Sequence, residues 1–322
     1  MKLFAPKIAE ENYTMDMLPH TRKQVFWDIV KLHHRTLILC GLILFAFMIP
    51  LHLSAIAEYA YRASLSQNIT ENSPPEQLTE MLLSLISFGN TRRLIDVPLW
   101  ILFFIGLSGV ARVIRQYAWE ENVYFRYEFA EGIKSNWKQY SVLGLLVGIL
   151  TFVCTYIYNL STLSADKGSV YSYLGVIPSV LFSVLFIPPL LYSLVSVSVY
   201  KNTFRQNVRM GLVLYARQLW QTVLTVICCA VVFIPQMIPN FYCIIIGRVL
   251  SSLVLPFLML GWWLFAYNGL DKSINPKFAP ELIGRGTVPL SEKMLAEMER
   301  RRGLEEQKDK KRKTERSENK RK

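Results

Sequence analysis

The sequence predicts an all-α polytopic membrane protein with six transmembrane helices and two cytoplasmic interfacial amphipathic helices. Three observations carry that expectation. The 322 residues are 52% hydrophobic, with a mean hydropathy of +0.26. Charged residues make up 19% of the chain, below the roughly 25% of a soluble domain, and they are gathered into blocks. The gaps between blocks reach the roughly 20 apolar residues a helix needs to cross a bilayer.

The chain opens with a basic leader, residues 1–35, holding Lys2, Lys7, Arg22, Lys23, Lys31 and Arg35. Within it, Val25, Phe26, Ile29, Val30 and Leu32 are spaced for a short amphipathic helix feeding the first span. The membrane domain, 36–268, begins with span one at 36–57, where Pro50 is expected to kink the helix. No small-residue cleavage site follows a short apolar core, so this span reads as a membrane helix and not a signal peptide. Residues 58–96 read as a polar, acidic loop containing a short helix at 76–88. Span two, 97–112, carries Gly106 and Gly109, which permit close helix contact. Span three covers 141–160. Span four covers 173–199, and Pro178, Pro188 and Pro189 are expected to break it into pieces. A basic connector, 200–218, leads to span five at 219–239, and span six at 244–268 is interrupted by Pro256. The charged tail, 269–322, reads as partly disordered from 291 onward.

Orientation follows from Lys and Arg. The leader carries six, the connector 112–140 five, the connector 200–218 four, and the tail 16 of the chain's 36. Arg62, Arg92, Arg93, Lys167 and Arg248 are all that the opposite side holds. Both termini are therefore expected in the cytoplasm of a multi-pass plasma-membrane protein.

The connector 112–139 is the richest stretch. Phe125, Phe129, Ile133 and Trp137 recur every four residues, a stripe suited to anchoring a helix in the membrane interface. Arg112, Arg115, Glu120, Glu121, Arg126, Glu128, Glu131 and Lys134 are the candidate partner-docking residues. The blander reading makes them a solvated face, pairing at three- and four-residue spacing. The second connector resembles the first at an offset of 79 residues: Phe125 aligns with Phe204, Phe129 with Val208, Gly132 with Gly211, Ile133 with Leu212 and Gln139 with Gln218. Phe204, Val208 and Leu212 are its interfacial anchors. A parallel repeat of this kind occurs in some transporter folds.

Enzyme chemistry is not expected. No HExxH, GxSxG or Walker sequence is present, the five cysteines lie in or at the edge of apolar spans without a paired CxxC motif, and no catalytic residue, metal site or cofactor is assigned. His33 and His34 read as interfacial residues. Asn159, Gln236, Asn240 and Arg248, near the outer ends of spans, are candidates for a polar vestibule or ordinary helix-end residues. The basic tail lacks the aromatics of a single-strand stacking platform, which argues against nucleic acid. It suits anionic lipid headgroups, where each cation contributes about 1 kcal/mol close to the surface.

Residues 109–115 (GVARVIR), Glu120-Glu121, the aromatic run 125–129 and Asn136-Trp137-Lys138-Gln139 resemble the signature connector of the YesL-like family of bacterial integral membrane proteins. The endings DKSINP (271–276) and PEL (280–282) are also similar to that family. The resemblance spans residues 26–285, outside the loop 58–93 and the charged tail. It implies no catalytic residue, and it implies association with carbohydrate transport systems. The function expected on these grounds is an accessory or regulatory component of a membrane transporter, whose subunits are its partners beside the lipid bilayer. The alternatives are a transporter in its own right, with a cavity between bent spans four and six, and a membrane-biogenesis factor acting through the basic tail.

Overall fold

The computed structural model describes residues 19–67, 74–119, 123–163, 176–238 and 240–288. Their regular structure is helical: α1 (Arg22–Ser66), α2 (Pro75–Ala118), α3 (Phe125–Leu163), α4 (Val176–Val199), α5 (Phe204–Arg217), α6 (Leu219–Ala230), α7 (Phe241–Ser273) and α8 (Asn275–Phe278). Two 3₁₀ turns, Val231–Met237 and Pro280–Leu282, follow α6 and α8. Among the described residues six helices are long and apolar enough to cross a membrane: α1, α2, α3, α4, α6 with its 3₁₀ extension, and α7. Tail residues from 289 onward and leader residues before 19 lie outside the described residues.

Several elements differ from the sequence expectation for identifiable reasons. The short helix at 76–88 is the front of α2, because no Gly-Pro break separates it from span two and Pro98 is tolerated inside the helix. Pro50 likewise sits inside α1, whose non-helical backbone falls instead at His33 (φ −121°, ψ 19°), where the leader helix meets span one. α4 runs through Pro188 and Pro189 as one helix and is not split into pieces. Pro188 has no N–H to offer the carbonyl four residues back. That carbonyl, of Val184, accepts the Tyr215 hydroxyl of α5 at 2.9 Å.

Helix starts are chemically marked. Thr21 Oγ1 accepts the Gln24 N–H at 3.3 Å while Gln24 Oε1 accepts the Thr21 N–H at 2.9 Å, a reciprocal cap. Asn240 Oδ1 accepts the Tyr242 and Cys243 N–H groups at the start of α7.

The core gathers around α2, which packs against α1, α3, α4 and α7. Val110, Val113, Ile114 and Ala118 of α2 meet Leu37 and Leu44 of α1, Tyr140 and Leu143 of α3, and Leu260 and Leu264 of α7. α6 is peripheral, with Trp220, Leu224 and Ile227 exposed. α1 and α7 cross where a Cβ on Gly41 would lie 2.9 Å from both Cα and the carbonyl oxygen of Leu253. Backbone cannot yield as a side-chain tip can. Gly41→Val is therefore expected to lose at least the ~1–3 kcal/mol typical of overpacking. Unfolding in detergent micelles measures it, and an unchanged midpoint would show that the two helices can part at no cost.

Contacts between the chain's two described ends place them at one end of the bundle, called here the terminal end. The last turns of α1 and the first turns of α2 and α7 meet at the far end, where Tyr61 stacks on Phe88 and Tyr59 lies against Phe241.

Candidate functional site

The terminal end holds the connector that the sequence singles out. α2 stops at Trp119 and α3 starts at Phe125. A Cβ on Gly132 would lie 2.8 Å from Arg112 Cβ and 3.0 Å from Gly109 Cα, so the two glycines let α2 and α3 cross almost backbone to backbone. That approach brings Arg112 Nε to Glu128 Oε2 at 2.7 Å, and Gln116 Nε2 donates to the same oxygen at 3.2 Å. Arg115 Nη1 donates to the Ser198 carbonyl of α4 at 2.5 Å, and its guanidinium lies over the Trp119 ring. Arg285 lies over the same ring, 4.2 Å from its centroid.

Three of the candidate docking residues, Arg112, Arg115 and Glu128, are thus engaged inside the protein; the Glu128 side chain is only 9% exposed. Arg126 and Lys134 are exposed and Glu131 is half-buried, while Glu120 and Glu121 lie outside the described residues. Among the anchors, Phe125 and Phe129 stack with centroids 5.9 Å apart and pack on the core, and Ile133 is half-buried. Trp137 is exposed. The inward face of α3 combines Glu128, Gly132 and Tyr140 with the two phenylalanines, because a 3.6-residue helix turns its face away from a strict four-step stripe.

The stretch after Phe125 is also not a separate in-plane helix. α3 continues unbroken from Phe125 to Leu163, since no Gly or Pro lies between Trp137 and Leu143 to stop it. The second connector does stay separate: Gln218 (φ −122°, ψ 30°) divides α5 from α6. In α5, Asn207, Gly211, Leu214 and Tyr215 are buried, Phe204 and Val208 are half-buried, and Leu212 is exposed. The aligned glycines play matching parts. A Cβ on Gly211 would lie 2.5 Å from the Pro189 carbonyl oxygen of α4, as Gly132 meets α2. Gln139 ties the two connectors, donating to the Asn202 carbonyl and accepting from Asn207 Nδ2, both at 2.9 Å.

The described end of the chain closes over this corner. Arg22 pairs with Asp271 at 2.7 Å and donates to the Arg285 carbonyl at 2.6 Å. Tyr267 donates to the Leu282 carbonyl, Asn275 donates to Asp271, and the Tyr200 hydroxyl donates to Asn275. Burial, reinforced by Tyr267, Asp271 and Glu281 nearby, raises the Tyr200 pKa, so its hydroxyl remains a donor. The residues of DKSINP and PEL are therefore a clasp. Gly286 (φ 79°) turns the chain tightly against the Ala118 carbonyl, a backbone shape that favours glycine.

The far end carries a second polar centre, of whose residues Asn159, Gln236 and Arg248 were sequence candidates for a polar vestibule. Asp96, with its side chain 3% exposed, accepts Ser54 Oγ at 2.5 Å and faces Arg92 at 3.3 Å and Arg93 at 3.5 Å. Arg92 also pairs with Glu58 and donates from Nε to Ser54 Oγ at 2.8 Å, and Arg62 pairs with Glu58 at 2.5 Å. One turn away, Arg248 Nη1 lies 3.2 Å from His52 Nδ1, and His52 Nε2 lies 3.1 Å from Ser252 Oγ. A guanidinium only donates. Nδ1 of His52 is therefore the acceptor and its Nε2–H donates to Ser252. Gln236 Nε2 donates to Ser251 Oγ at 2.7 Å, and Asn159 Nδ2 donates to Asn90 at 2.8 Å. The signals were present in the sequence: Glu58 and Arg62, and Arg92 and Asp96, stand four apart on a helix face.

Beside this centre the structure opens a cavity of about 630 Å³ between α1, α2, α3 and α4. Its lining runs from Glu58, Arg62 and Arg93 to Asn159 and Ser183, with an apolar wall from α2 and α4. It lies away from the space between spans four and six where the sequence placed one. There, Tyr192 of α4 packs against Trp262 and Phe265 of α7. No family model, no curated protein and no solved structure matches the chain.

Proposed function

We propose that this chain is a non-enzymatic, multi-pass plasma-membrane protein with both termini in the cytoplasm. It acts as an accessory or regulatory component of a membrane transport system, of the kind that imports carbohydrate. The YesL-like resemblance of the 109–139 connector and of the 271–282 ending belongs to this reading. The observation that carries it is the division of labour at the terminal end. Arg112, Arg115 and Glu128 lock the α2–α3 corner from within, while Tyr124, Arg126, Tyr127, Lys134 and Trp137 face outward from one rigid helix start. Aromatics and cations presented on a fixed scaffold suit a protein interface, because little side-chain freedom is lost on docking. The basic tail adds an electrostatic hold on anionic lipid headgroups.

Full-length protein carrying Arg126→Glu and Lys134→Glu is expected to keep its elution profile and melting behaviour. It should co-purify a transporter permease or ATPase subunit at least ~10-fold less than wild type in mild detergent, a loss of about 1.4 kcal/mol in affinity. Wild-type protein that elutes as a clean monomer with no transporter subunit would overturn the reading. The far-end cavity favours a second reading, a transporter in its own right, and solute uptake by proteoliposomes containing this chain alone would select it.

A further inference from the structure

We propose that the outer face of α5 (Phe204–Arg217) is a docking surface for anionic phospholipid headgroups, with Arg205 and Arg209 as its phosphate contacts. The inference deepens the bilayer reading, on which it rests. It needs no transporter partner, and the surface is distinct from the basic tail.

The helix is two-sided. Asn207, Gly211, Leu214 and Tyr215 are buried against the bundle. Arg205, Arg209, Leu212 and Ala216, spaced four, three and four apart, share the opposite face and are exposed. That face is held from behind. Gln206 Oε1 accepts the Thr203 N–H at 3.0 Å at the helix start, and Gly211 lets the helix rest on the α4 backbone. A surface fixed in this way loses little freedom on binding.

Charge selects the occupant. No Asp or Glu occurs between Asp166 and Asp271, so this part of the chain supplies no carboxylate. Lys201, Arg205, Arg209 and Arg217 are all exposed and enter none of the ion pairs among the described residues. Arg22, Arg62, Arg92, Arg93 and Arg112, by contrast, each face a carboxylate. The tail does not supply the missing charge. Residues 289–322 hold 13 Lys and Arg against eight Asp and Glu, a net charge of the same sign as the face. A phosphodiester is negative, and its oxygens match a guanidinium fork.

Depth selects a lipid over a soluble anion. α4 finishes at the terminal end, where the Ser198 carbonyl meets Arg115. Asn207 is tied to Gln139, Gly211 meets Pro189, and the Tyr215 hydroxyl reaches the Val184 carbonyl. Along that path α5 moves back down α4, away from the terminal end. Arg205 and Arg209 therefore lie toward water, and Leu212 and Ala216 toward the hydrocarbon. The apolar face continues past Gln218 into Leu219, Trp220 and Leu224 of α6, all exposed on a helix long and apolar enough to span a bilayer. Acyl chains cover such a surface beneath a bound headgroup, whereas a soluble anion leaves it bare. Arg217 stands at the deeper end. Helical side chains lean toward the helix N-terminus, here the water side, so its long stem carries the charge upward.

Photolabelling of the full chain in phosphatidylcholine vesicles tests this. A trace of phosphatidylglycerol or phosphatidylcholine carries the same photoactivatable acyl chain, and labelled peptides are identified by mass spectrometry. Label on α5 and the first turn of α6 is normalised to the exposed face of α3 at Leu145, Leu146 and Ile149. Phosphatidylglycerol is expected to give about 10-fold more label there than phosphatidylcholine. Arg205→Gln with Arg209→Gln should bring the two lipids to within ~2-fold of each other, at an unchanged melting temperature, because both side chains are exposed. Arg205→Lys with Arg209→Lys should keep most of the preference, since a point charge also attracts a headgroup.

Equal labelling by the two lipids in wild-type protein would overturn the proposal. A preference surviving in the glutamine variant would assign it to the tail, which every variant shares, and would overturn it equally. So would lysine variants as poor as the glutamine ones, or an α5 that neither lipid labels. Failure of the chain to fractionate with membranes would remove the bilayer reading itself, and loss of a transporter partner would leave the labelling result untouched.

Discussion

Asp96→Ala is expected to destabilise the protein by about 3–5 kcal/mol, the cost of removing one partner from a buried ionic cluster. The aspartate side chain is 3% exposed, and three groups depend on it: Arg92, Arg93 and the Ser54 hydroxyl. Alanine would leave two guanidiniums facing one remaining carboxylate, Glu58, which already serves Arg62. Arg93 is one-third exposed, so solvent would absorb part of its loss. Arg92, with its side chain 9% exposed, has no such relief. Asp96→Asn should cost less, since an amide oxygen can still accept the Ser54 hydroxyl while supplying no charge. Chemical or thermal unfolding in micelles measures the series. An alanine variant within ~0.5 kcal/mol of wild type, the range of ordinary surface substitutions, would show that water reaches the cluster freely and that it is not an internal ionic centre.

The cluster also shows where sequence reading stops. Glu58 with Arg62, and Arg92 with Asp96, are each visible as a four-residue step. Nothing in the chain says that the first pair lies against the second. That juxtaposition needs α1 and α2 to pack antiparallel, and the loop reading of 58–96 placed all four residues in solvent. Once the helices extend to Ser66 and back from Pro75, the same charges become facing neighbours. His52 and Arg248 are separated by 196 residues along the chain, beyond any periodicity argument.

The number and order of apolar helices were legible because about 20 apolar residues in a row admit few other structures. Pro188 misled because its consequence depends on Tyr215, whose hydroxyl takes the freed carbonyl from a different helix. The alignment of Gly132 with Gly211 pairs two residues that both lie at helix crossings, a role that the alignment alone did not assign to them. The inward partner of each glycine was not legible, and this misplaced Glu128. A carboxylate off the apolar stripe reads as solvated until a close crossing carries Arg112 and Gln116 onto it.

That crossing yields the second large effect. Glu128→Ala and Arg112→Ala are each expected to cost about 3 kcal/mol, because each strands a mostly buried charge. The double variant should cost less than their sum, with a coupling of up to ~3 kcal/mol. Arg112 has a somewhat more exposed side chain, 19% against 9%, so water can partly repay it when Glu128 is lost. The reverse deletion leaves a carboxylate with Gln116 as its remaining donor, so the Arg112 variant should be the worse of the two. Additive losses would mean that the pair shares space without sharing charge. The same cycle guards the partner experiment. A Glu128 variant that fails to co-purify a transporter subunit has lost the α2–α3 corner and says nothing about contact, whereas Arg126 and Lys134 point away from that lock and report on the outer surface alone.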